Sequence, residues 1–447
     1  MICQSILENQ NDIDLTTLGY YKPRFLHLHL HTEEPINDLN ILAADEQHRK
    51  LFSTFLHEYI HFLQDISTPF GIMRSFLFVD ALKDIIHPVR NSKEQDFKVP
   101  VPFNDAYNTL SNLHLQKLYA GDDDVEINRI IYRYYELEHA PATDRDGKPY
   151  QVAQYRVHYL DTSDRQEKGF LFGTRCIKEY MAHAIQSRYY PEVQHPDIPY
   201  LAAELICYEE HPPLRKDPML VVALCDASLH TTNPAQLFFR TLERMKEQNF
   251  DPTTYKAVYD FAFYDLKLEG NGRSFHPHEF YDYAVELILQ QYDDVLKSPV
   301  FEANRSWLRY LFSSMRALRL ELPDFMLHLV NPDGLLSNDF RMLSRILGTP
   351  FLTNDNKGYG FIPPEGLQSE GIMPYQLLAL FEVFGVLKGK TKCGLYDFCS
   401  HRKDKDITNH HCLTAPWKRA EEKTICPFAQ LWITWGLQGK VPIRNTL

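Results

Sequence analysis

The chain is built around a ten-residue stretch that reads Phe55-Leu56-His57-Glu58-Tyr59-Ile60-His61-Phe62-Leu63-Gln64. It contains the pattern His-Glu-x-x-His. On an α-helix His57 and His61 lie one turn apart on the same side, so both imidazoles can bind one metal ion. Glu58 then projects beside the metal, where a general base would have to stand. Because so short a pattern can arise by chance, the residues around it decide its meaning.

The surrounding residues predict a buried helix from about Asp45 to Ile66. Apolar side chains recur nearly all round this helix, which is typical of an element inside a core. The polar side chains follow one stripe, made of Thr54, His57, Glu58, His61, Gln64 and Asp65. Buried polar groups without partners cost on the order of 1–3 kcal/mol each. A metal ion with its bound water would satisfy the stripe, and the alternative is a pair of core histidines hydrogen-bonded to neighbours.

The composition is that of a globular protein and argues against several classes. The chain has 447 residues, 44% of them hydrophobic, which allows one large domain or two to three smaller ones. Its formal net charge of −12, without a long run of Lys and Arg, argues against nucleic-acid binding. No secretory signal and no apolar run long enough to span a membrane is visible, so we expect a cytoplasmic protein.

Residues 24–31 read Arg-Phe-Leu-His-Leu-His-Leu-His, and their strict alternation predicts a strand. The leucines share one face, and His27, His29 and His31 share the other. Such a face could bind a metal ion, although a polar sheet face is the commoner explanation. A sheet beside the helix that carries the His-Glu-x-x-His pattern would fit either interpretation.

A second amphipathic helix is predicted directly after a hairpin at 150–160 and 169–173, with Thr174 as its N-cap. Glu179, His183 and Gln186 share the side of this helix that lies opposite its apolar stripe. A catalytic zinc site needs a third protein ligand, and Glu179 is the candidate. The competing interpretation is a glutamate that faces solvent.

The rest of the chain is dominated by helical patterns. Helices are predicted at 72–87, 104–119, 218–230, 234–247, 252–267, 277–296, 302–321 and 371–387. The expected fold class is therefore α+β, predominantly α-helical, with a small sheet and a large helical region.

The last part of the chain is rich in cysteine, with Cys393, Cys399, Cys412 and Cys426. In a reducing cytosol a cluster of four cysteines is more often a metal site than a pair of disulfides. A structural zinc ion takes four thiolate or imidazole ligands. The spacing lacks a tight Cys-x-x-Cys element, so a structural zinc and buried free thiols both stay open.

The pattern at His57 to His61, together with Glu179-Tyr180-Met181-Ala182, resembles the zincin metallopeptidases of the gluzincin branch. There the metal is held by the two histidines and by a glutamate on a later helix. Gln64 makes the stretch similar to a His-Glu-x-x-His-x-x-Gln group of poorly characterised bacterial proteins. The resemblance covers two helices. The chain departs from it in the long spacing to Glu179, and in having His183 where thermolysin-like enzymes place an aspartate.

The resemblance implies a zinc-dependent metallopeptidase in which four residues carry the reaction. Zn²⁺ would be held by His57, His61 and Glu179, with an open position for a water whose pKa falls toward neutrality. Glu58 would take the proton of that water during attack on a peptide carbonyl and pass it to the leaving amine. A tyrosine or histidine of the helical half would assist the oxyanion. Those eligible include His230 and Tyr208.

The same resemblance implies a division of the chain and a set of supporting residues. The regions are a zincin-like catalytic region at 1–210, a helical region at 211–390 that completes the cleft, and the cysteine-rich segment at 391–447. Candidates for support of the metal ligands are Gln64, Asp65 and His183, and His183 could instead compete as a ligand itself. The expected partner is a protein or peptide substrate, with room for a regulatory partner. The alternative is a non-catalytic binding or scaffold protein on a zincin frame with a structural metal site.

Overall fold

The computed structural model describes residues 19–22, 26–33, 48–103, 107–122, 124–144, 147–270, 272–355, 359–367, 371–401 and 407–444. Helices dominate these ranges and the strands form small sheets, so the predicted α+β class with predominant helix is confirmed. Within the same ranges, none of the helices combines the length and the apolar character that crossing a bilayer requires.

The elements are numbered along the described residues. The helices α1 to α16 are Arg49–Ser67, Pro69–Asn91, Tyr107–Ala120, Thr174–Tyr189, Asp197–Tyr200, Ala202–Glu210, Pro218–Ser228, Pro234–Glu247, Tyr255–Phe263, Pro277–Val295, Glu302–Glu321, Asn338–Leu347, Tyr375–Leu387, Tyr396–Ser400, His411–Thr414 and Pro427–Thr434. The strands β1 to β11 are Gly19–Lys22, His27–Leu30, Asp96–Val99, Ile130–Thr143, Pro149–Asp161, Glu167–Phe172, Leu268–Gly270, Arg273–Phe275, Phe351–Asn354, Tyr359–Gly360 and Val441–Arg444.

The predicted elements differ from the observed ones mainly at their ends. The helix expected from Asp45 begins at Arg49, and residues 45–47 and 24–25 lie outside the described residues. Pro69 does not end helical structure, because α1 ends at Ser67 and Pro69 opens α2. Proline suits the first turn of a helix, where its missing N–H has no partner to lose.

The chain divides into two compact units that are both discontinuous in sequence. Unit 1 comprises Met1–Arg74, Ser111–Glu286 and Leu311–Glu365. Unit 2 comprises Ser75–Leu110, Leu287–Tyr310 and Gly366–Leu447. This division does not follow the boundaries at 210 and 390 that the sequence suggested. The proposed catalytic and ligand residues all belong to unit 1.

Helix α1 lies in the core of unit 1. Every residue from Phe52 to Ser67 is buried, as the continuous apolar pattern predicts. The helix packs on α4 and on strands β1 and β2. Those strands belong to a four-stranded sheet of order β1-β2-β9-β10, in which β2 and β9 are parallel and the other pairs are antiparallel. Helix α1, which carries His57 and His61, is thus packed against both α4 and this sheet.

A second sheet of unit 1, with antiparallel order β4-β5-β6, leads directly into α4. The sequence predicted β5 and β6 and missed β4. Gly173 joins β6 to α4, and a Cβ atom there would lie 2.2 Å from the carbonyl oxygen of Ala120. Gly173 is also the N-cap residue, so the predicted N-cap at Thr174 is wrong. Thr174 is the first helical residue, and its hydroxyl donates to the carbonyl oxygen of Tyr119 at 2.7 Å.

A buried ion pair anchors the C-terminal end of α1. Arg319 Nη1 donates to Asp226 Oδ2 at 2.7 Å, and Arg319 Nε donates to the carbonyl oxygen of Ser67 at 3.1 Å. We expect Asp226→Ala to lower the free energy of unfolding by about 3–5 kcal/mol, because it leaves a guanidinium buried without its carboxylate. The exposed pair of Lys256 and Asp260 is the control. There Asp260→Ala should cost less than about 1 kcal/mol in the same urea titration, and equal losses would contradict the argument.

Unit 2 combines the C-terminal helices with a short parallel pair of strands. Strand β11 pairs with β3, and α13 packs on α16. Trp432 on α16 is fully buried and stacks on Phe428 with ring centroids 5.6 Å apart. The indole N–H of Trp435 donates to the carbonyl oxygen of Val295 at 2.9 Å. These aromatic residues form the core of the C-terminal segment.

The four C-terminal cysteines lie in unit 2, and all four are buried. The backbone N–H of Cys393 donates to the carbonyl oxygen of Cys412 at 2.8 Å, so two of them are neighbours. Burial raises the pKa of the Cys426 thiol. In the described part of the chain, no three of the four sulfurs lie within 4.8 Å of one another. A structural zinc at these cysteines therefore stays a prediction.

Candidate metal centre

Two helices bring the three predicted ligands together. Helix α1 carries His57 and His61, and α4 carries Glu179. Glu179 Oε2 lies 3.2 Å from His57 Nε2 and 3.2 Å from His61 Nε2. One ligand atom of each residue lies within 4.8 Å of the others, although Glu179 is 118 residues or more away in sequence. Three ligand atoms this close to one another could hold a single metal ion.

Gln64 determines which nitrogen of His61 carries the proton. The Gln64 amide nitrogen donates to the backbone carbonyl of Lys178 at 3.1 Å. Because a carbonyl oxygen only accepts, the other end of the amide, Oε1, must face His61 Nδ1 at 2.9 Å. His61 Nδ1 therefore donates its N–H to Gln64, and Nε2 keeps a lone pair. Gln64 thus contacts a predicted ligand, as expected of a residue that supports it.

Gln186, on helix α4, fixes the tautomer of His57 in the same way. Its amide nitrogen donates to the carbonyl oxygen of Ser53 at 3.1 Å and to the Ser53 hydroxyl at 3.0 Å. Gln186 Oε1 then faces His57 Nδ1 at 3.1 Å and accepts its proton. His57 Nε2 is left with a lone pair as well. Gln186 was recognised in the sequence only as a neighbour of Glu179, because its contact depends on how α1 and α4 pack.

The converging atoms fit a divalent cation. Two imidazole lone pairs and one carboxylate oxygen point at one another, and no hydrogen atom lies between them in these tautomers. Such an arrangement needs a positive charge at its centre, either an added proton or a metal ion. Two histidines and a glutamate form a donor set that catalytic zinc sites use, with a further position left for water or substrate. The residues present therefore fit a zinc ion.

The pKa values of the two carboxylates at the centre, Glu179 and Glu58, are shifted in opposite directions. Burial acts to raise the pKa of Glu179, but His61 and His57 outweigh it and hold that pKa well below its ordinary value. Burial raises the pKa of Glu58, and His57 and His61 oppose that effect only in part. Glu179 is thus an ionised carboxylate, which suits a candidate ligand, whereas Glu58 is a more basic carboxylate beside it.

Asp65 forms an ion pair with a lysine of the opposite helix. Its Oδ1 accepts from Lys178 Nζ at 2.7 Å, and both side chains are buried. Burial lowers the pKa of Lys178, and Asp65 opposes that shift. Because Lys178 precedes Glu179 on α4, this ion pair ties α4 to α1 next to the ligands. Asp65 therefore supports the centre by fixing the helices, which is a different role from orienting an imidazole.

His183 lies beside the centre but is not among the converging ligands. Its Nδ1 is buried without a hydrogen-bond partner among the described residues, and burial lowers its pKa to about 4. Its ring lies 5.1 Å from that of His195. The structure thus places His183 against His195, a histidine that the sequence did not single out.

His195 and Tyr200 complete this side of the centre. His195 Nε2 lies 3.1 Å from Gln186 Oε1, which also accepts from His57. The rings of His195 and Tyr200 stack with centroids 4.2 Å apart, and Tyr200 lies 6.0 Å from the His57 ring. Burial raises the pKa of Tyr200 well above its ordinary value, and the nearby Glu179 carboxylate raises it further. His195 lies in a connection without periodicity and Tyr200 ends a four-residue helix, so no sequence signal pointed to either residue.

The residues first suggested as oxyanion donors contact other groups. The His230 ring lies 5.4 Å from that of Phe263, and burial lowers the pKa of His230 to about 3. The Tyr208 ring lies under the Arg215 guanidinium at 5.8 Å. Tyr200, whose ring lies 6.0 Å from that of His57, therefore replaces both as the candidate oxyanion donor.

The orientation of His61 by Gln64 can be tested through metal affinity. We expect Gln64→Leu to weaken Zn²⁺ binding about 10–100-fold, because His61 loses the acceptor that fixes its tautomer. The measurement is a competition titration with a chelator of known affinity. Gln376→Leu is the matched control, since Gln376 is also buried and its Oε1 accepts from Asn304 at 3.0 Å. Equal affinity in the wild type and Gln64→Leu would contradict the assigned role.

No protein-family model matches this chain, and neither the curated proteins nor the solved structures contain one that is significantly similar to it. Its function therefore has to be argued from the chemistry of the centre itself. The strongest observation is that two histidines of fixed tautomer and a glutamate converge beside a further buried glutamate.

Proposed function

We propose that the protein is a zinc-dependent metallopeptidase that cleaves peptide bonds of a protein substrate, with a zincin-like core of the gluzincin type. The observation that supports it most directly is the convergence of His57 Nε2, His61 Nε2 and Glu179 Oε2. These three residues would hold the ion. When bound, zinc supplies Lewis acidity, which polarises a carbonyl group and makes water more acidic.

Glu58 is the proposed general base. It follows His57 directly on α1 and is buried, and its pKa is raised. A carboxylate whose pKa is shifted toward neutrality accepts a proton more readily than an ordinary one. Its carboxylate takes a proton from the attacking water and passes it to the nitrogen of the leaving amine. These two transfers allow one residue to serve both halves of the hydrolysis.

Tyr200 is the proposed donor to the oxyanion, since its phenol lies next to the ligands. We expect Tyr200→Phe to lower kcat about 10²–10³-fold with little change in KM, because the hydrogen bond forms in the transition state. Steady-state kinetics on a cleaved peptide measures this split. Tyr264→Phe is the control, since Tyr264 is 65% exposed. A loss that appears only in KM would assign Tyr200 to substrate binding instead.

The alternative is a binding or scaffold protein with a structural metal. Structural zinc sites close the coordination sphere with four protein ligands, whereas three converge here among the residues that the structure describes. A structural site also has no use for a buried carboxylate with a raised pKa at position 58. Both points favour catalysis.

We further propose that the protein works in the cytoplasm. Free thiols are usual in a reducing compartment, and the described residues include six of them at Cys176, Cys207, Cys225, Cys393, Cys412 and Cys426. Its substrate would then be an intracellular protein, and a regulatory partner could control when cleavage occurs.

The experiment that tests the proposed function is a comparison of protein termini in cells that express the wild type or Glu58→Gln. We expect a defined set of new N-termini with the wild type alone, since the variant keeps the ligands but lacks the base. Both proteins must accumulate to equal levels for the comparison. Identical sets of termini would contradict peptidase activity and would leave the scaffold alternative.

A further inference from the structure

A second group of histidines lies on the four-stranded sheet of unit 1. Strand β2 places Leu28 and Leu30 in the core, where both are fully buried. Its alternate residues, including His29, lie on the opposite face, as the alternation in the sequence predicts. This face of the sheet is therefore polar.

The neighbouring parallel strand β9 supplies a carboxylate to this face. His29 pairs with Thr353 in the register of β2 and β9, and the chain continues to Asp355 just beyond β9. Asp355 Oδ1 lies 3.0 Å from His29 Nε2 and 3.1 Å from His31 Nδ1. One ligand atom from each of the three residues lies within 4.8 Å of the others. Two strands thus bring together a group that is separated by more than 300 residues in sequence.

The first residue of this group is supported by two neighbours. Thr353 Oγ1 lies 2.9 Å from His29 Nδ1 and 2.8 Å from His27 Nε2. If the His29 N–H donates to Thr353 and the Thr353 hydroxyl donates to His27, His29 Nε2 keeps its lone pair toward Asp355. The Tyr20 ring stacks on His29 with centroids 4.9 Å apart and restrains its rotation. An imidazole held at its second nitrogen in this way is typical of metal ligands.

Access from solvent distinguishes this group from the buried centre. The Asp355 side chain is 46% exposed, and those of His29 and His31 are 14% and 20% exposed. A cation could therefore enter without rearrangement and complete its coordination with water. Imidazole and carboxylate ligands together suit divalent first-row transition ions such as Zn²⁺ and Ni²⁺.

We propose that His29, His31 and Asp355 form a second site for a divalent transition-metal ion on the outer face of this sheet. The ion would join β2 to β9. Because this sheet packs on α1, binding would stabilise the frame that carries the first centre. The site is independent of the proposed peptidase activity, because it shares no ligand with the first centre.

The test is Zn²⁺ binding by the full chain in a Glu179→Ala background, which removes a ligand of the first centre. We expect this protein to bind one more equivalent of Zn²⁺ than the double variant Glu179→Ala/His31→Ala. We also expect saturating Zn²⁺ to raise the Tm of the former more than that of the latter. His158→Ala in the same background is the control, since His158 meets a single carboxylate, Glu136, at 2.8 Å. It should keep the full stoichiometry.

Equal stoichiometry and equal affinity with and without His31 would overturn the proposal, and the three residues would then be a hydrogen-bonded sheet face. Asp355→Asn is a second variant for the same test. It removes a charge at an exposed position, so the result can still be read if the His31 variant does not fold. Failure here would leave the first centre untouched, because that centre is measured by the loss caused by Glu179→Ala alone.

Discussion

Glu58→Gln is expected to lower kcat/KM for peptide cleavage about 10²–10⁴-fold while zinc stays bound. The amide has nearly the shape of the carboxylate but cannot accept the proton of the attacking water. The two histidines and Glu179, which would hold the metal, are not altered. The measurement combines zinc content by elemental analysis with kinetics on a peptide that spans a cleavage site found by profiling of termini.

The matched control for this loss is Glu204→Gln. Glu204 is another carboxylate of unit 1 whose pKa burial raises, and it accepts from the Tyr180 hydroxyl at 3.0 Å. We expect this variant to cleave at the wild-type rate. Cleavage that survives in Glu58→Gln at more than a tenth of the wild-type rate would show that another group accepts the proton.

Glu179→Ala is expected to remove one equivalent of zinc and, with it, all peptide cleavage. It deletes a charged ligand, so its effect should exceed the about 10–100-fold loss of affinity expected when only a supporting residue is changed. Zinc content after dialysis against a weak chelator measures this directly. Metal at any other site of the chain should be retained, so the change is counted as a difference from the wild type.

His183→Ala separates the two ligand assignments that the second helix allows. His183 lies one turn beyond Glu179 on α4, but the structure directs its ring toward His195. We expect this variant to keep the zinc that Glu179→Ala loses. The reverse result, zinc lost with His183 and kept without Glu179, would show that the third ligand was assigned to the wrong residue.

Much of the centre follows from spacing along helices. A four-residue spacing places His57 and His61 on one side of α1, and the apolar pattern around them predicts its burial. The amphipathic pattern of α4 likewise separates Glu179 from the apolar stripe. These relations are local, since the period of a helix alone decides which side chains share a face.

Other parts of the centre depend on contacts between distant segments. Gln186 reaches His57 only because α1 packs on α4. His195 and Tyr200 lie in a connection and a short helix whose path no periodicity predicts. Strand β4 was missed for a similar reason, because an exposed edge strand need not show a clean apolar alternation.

The residue types and their periodicity thus decide which side chains could act, and the tertiary structure decides which of them meet. The sequence left His29 and His31 open between a polar strand face and a metal site, and only parallel pairing of the strands brought Asp355 beside them. Parallel pairing joins segments through long crossovers, and its register depends on the packing of everything between them. The two histidines of α1, by contrast, are placed by one turn of helix. The pairing of His57 with His61 is local and is therefore visible in the sequence. The contacts between distant segments could be seen only in the tertiary structure.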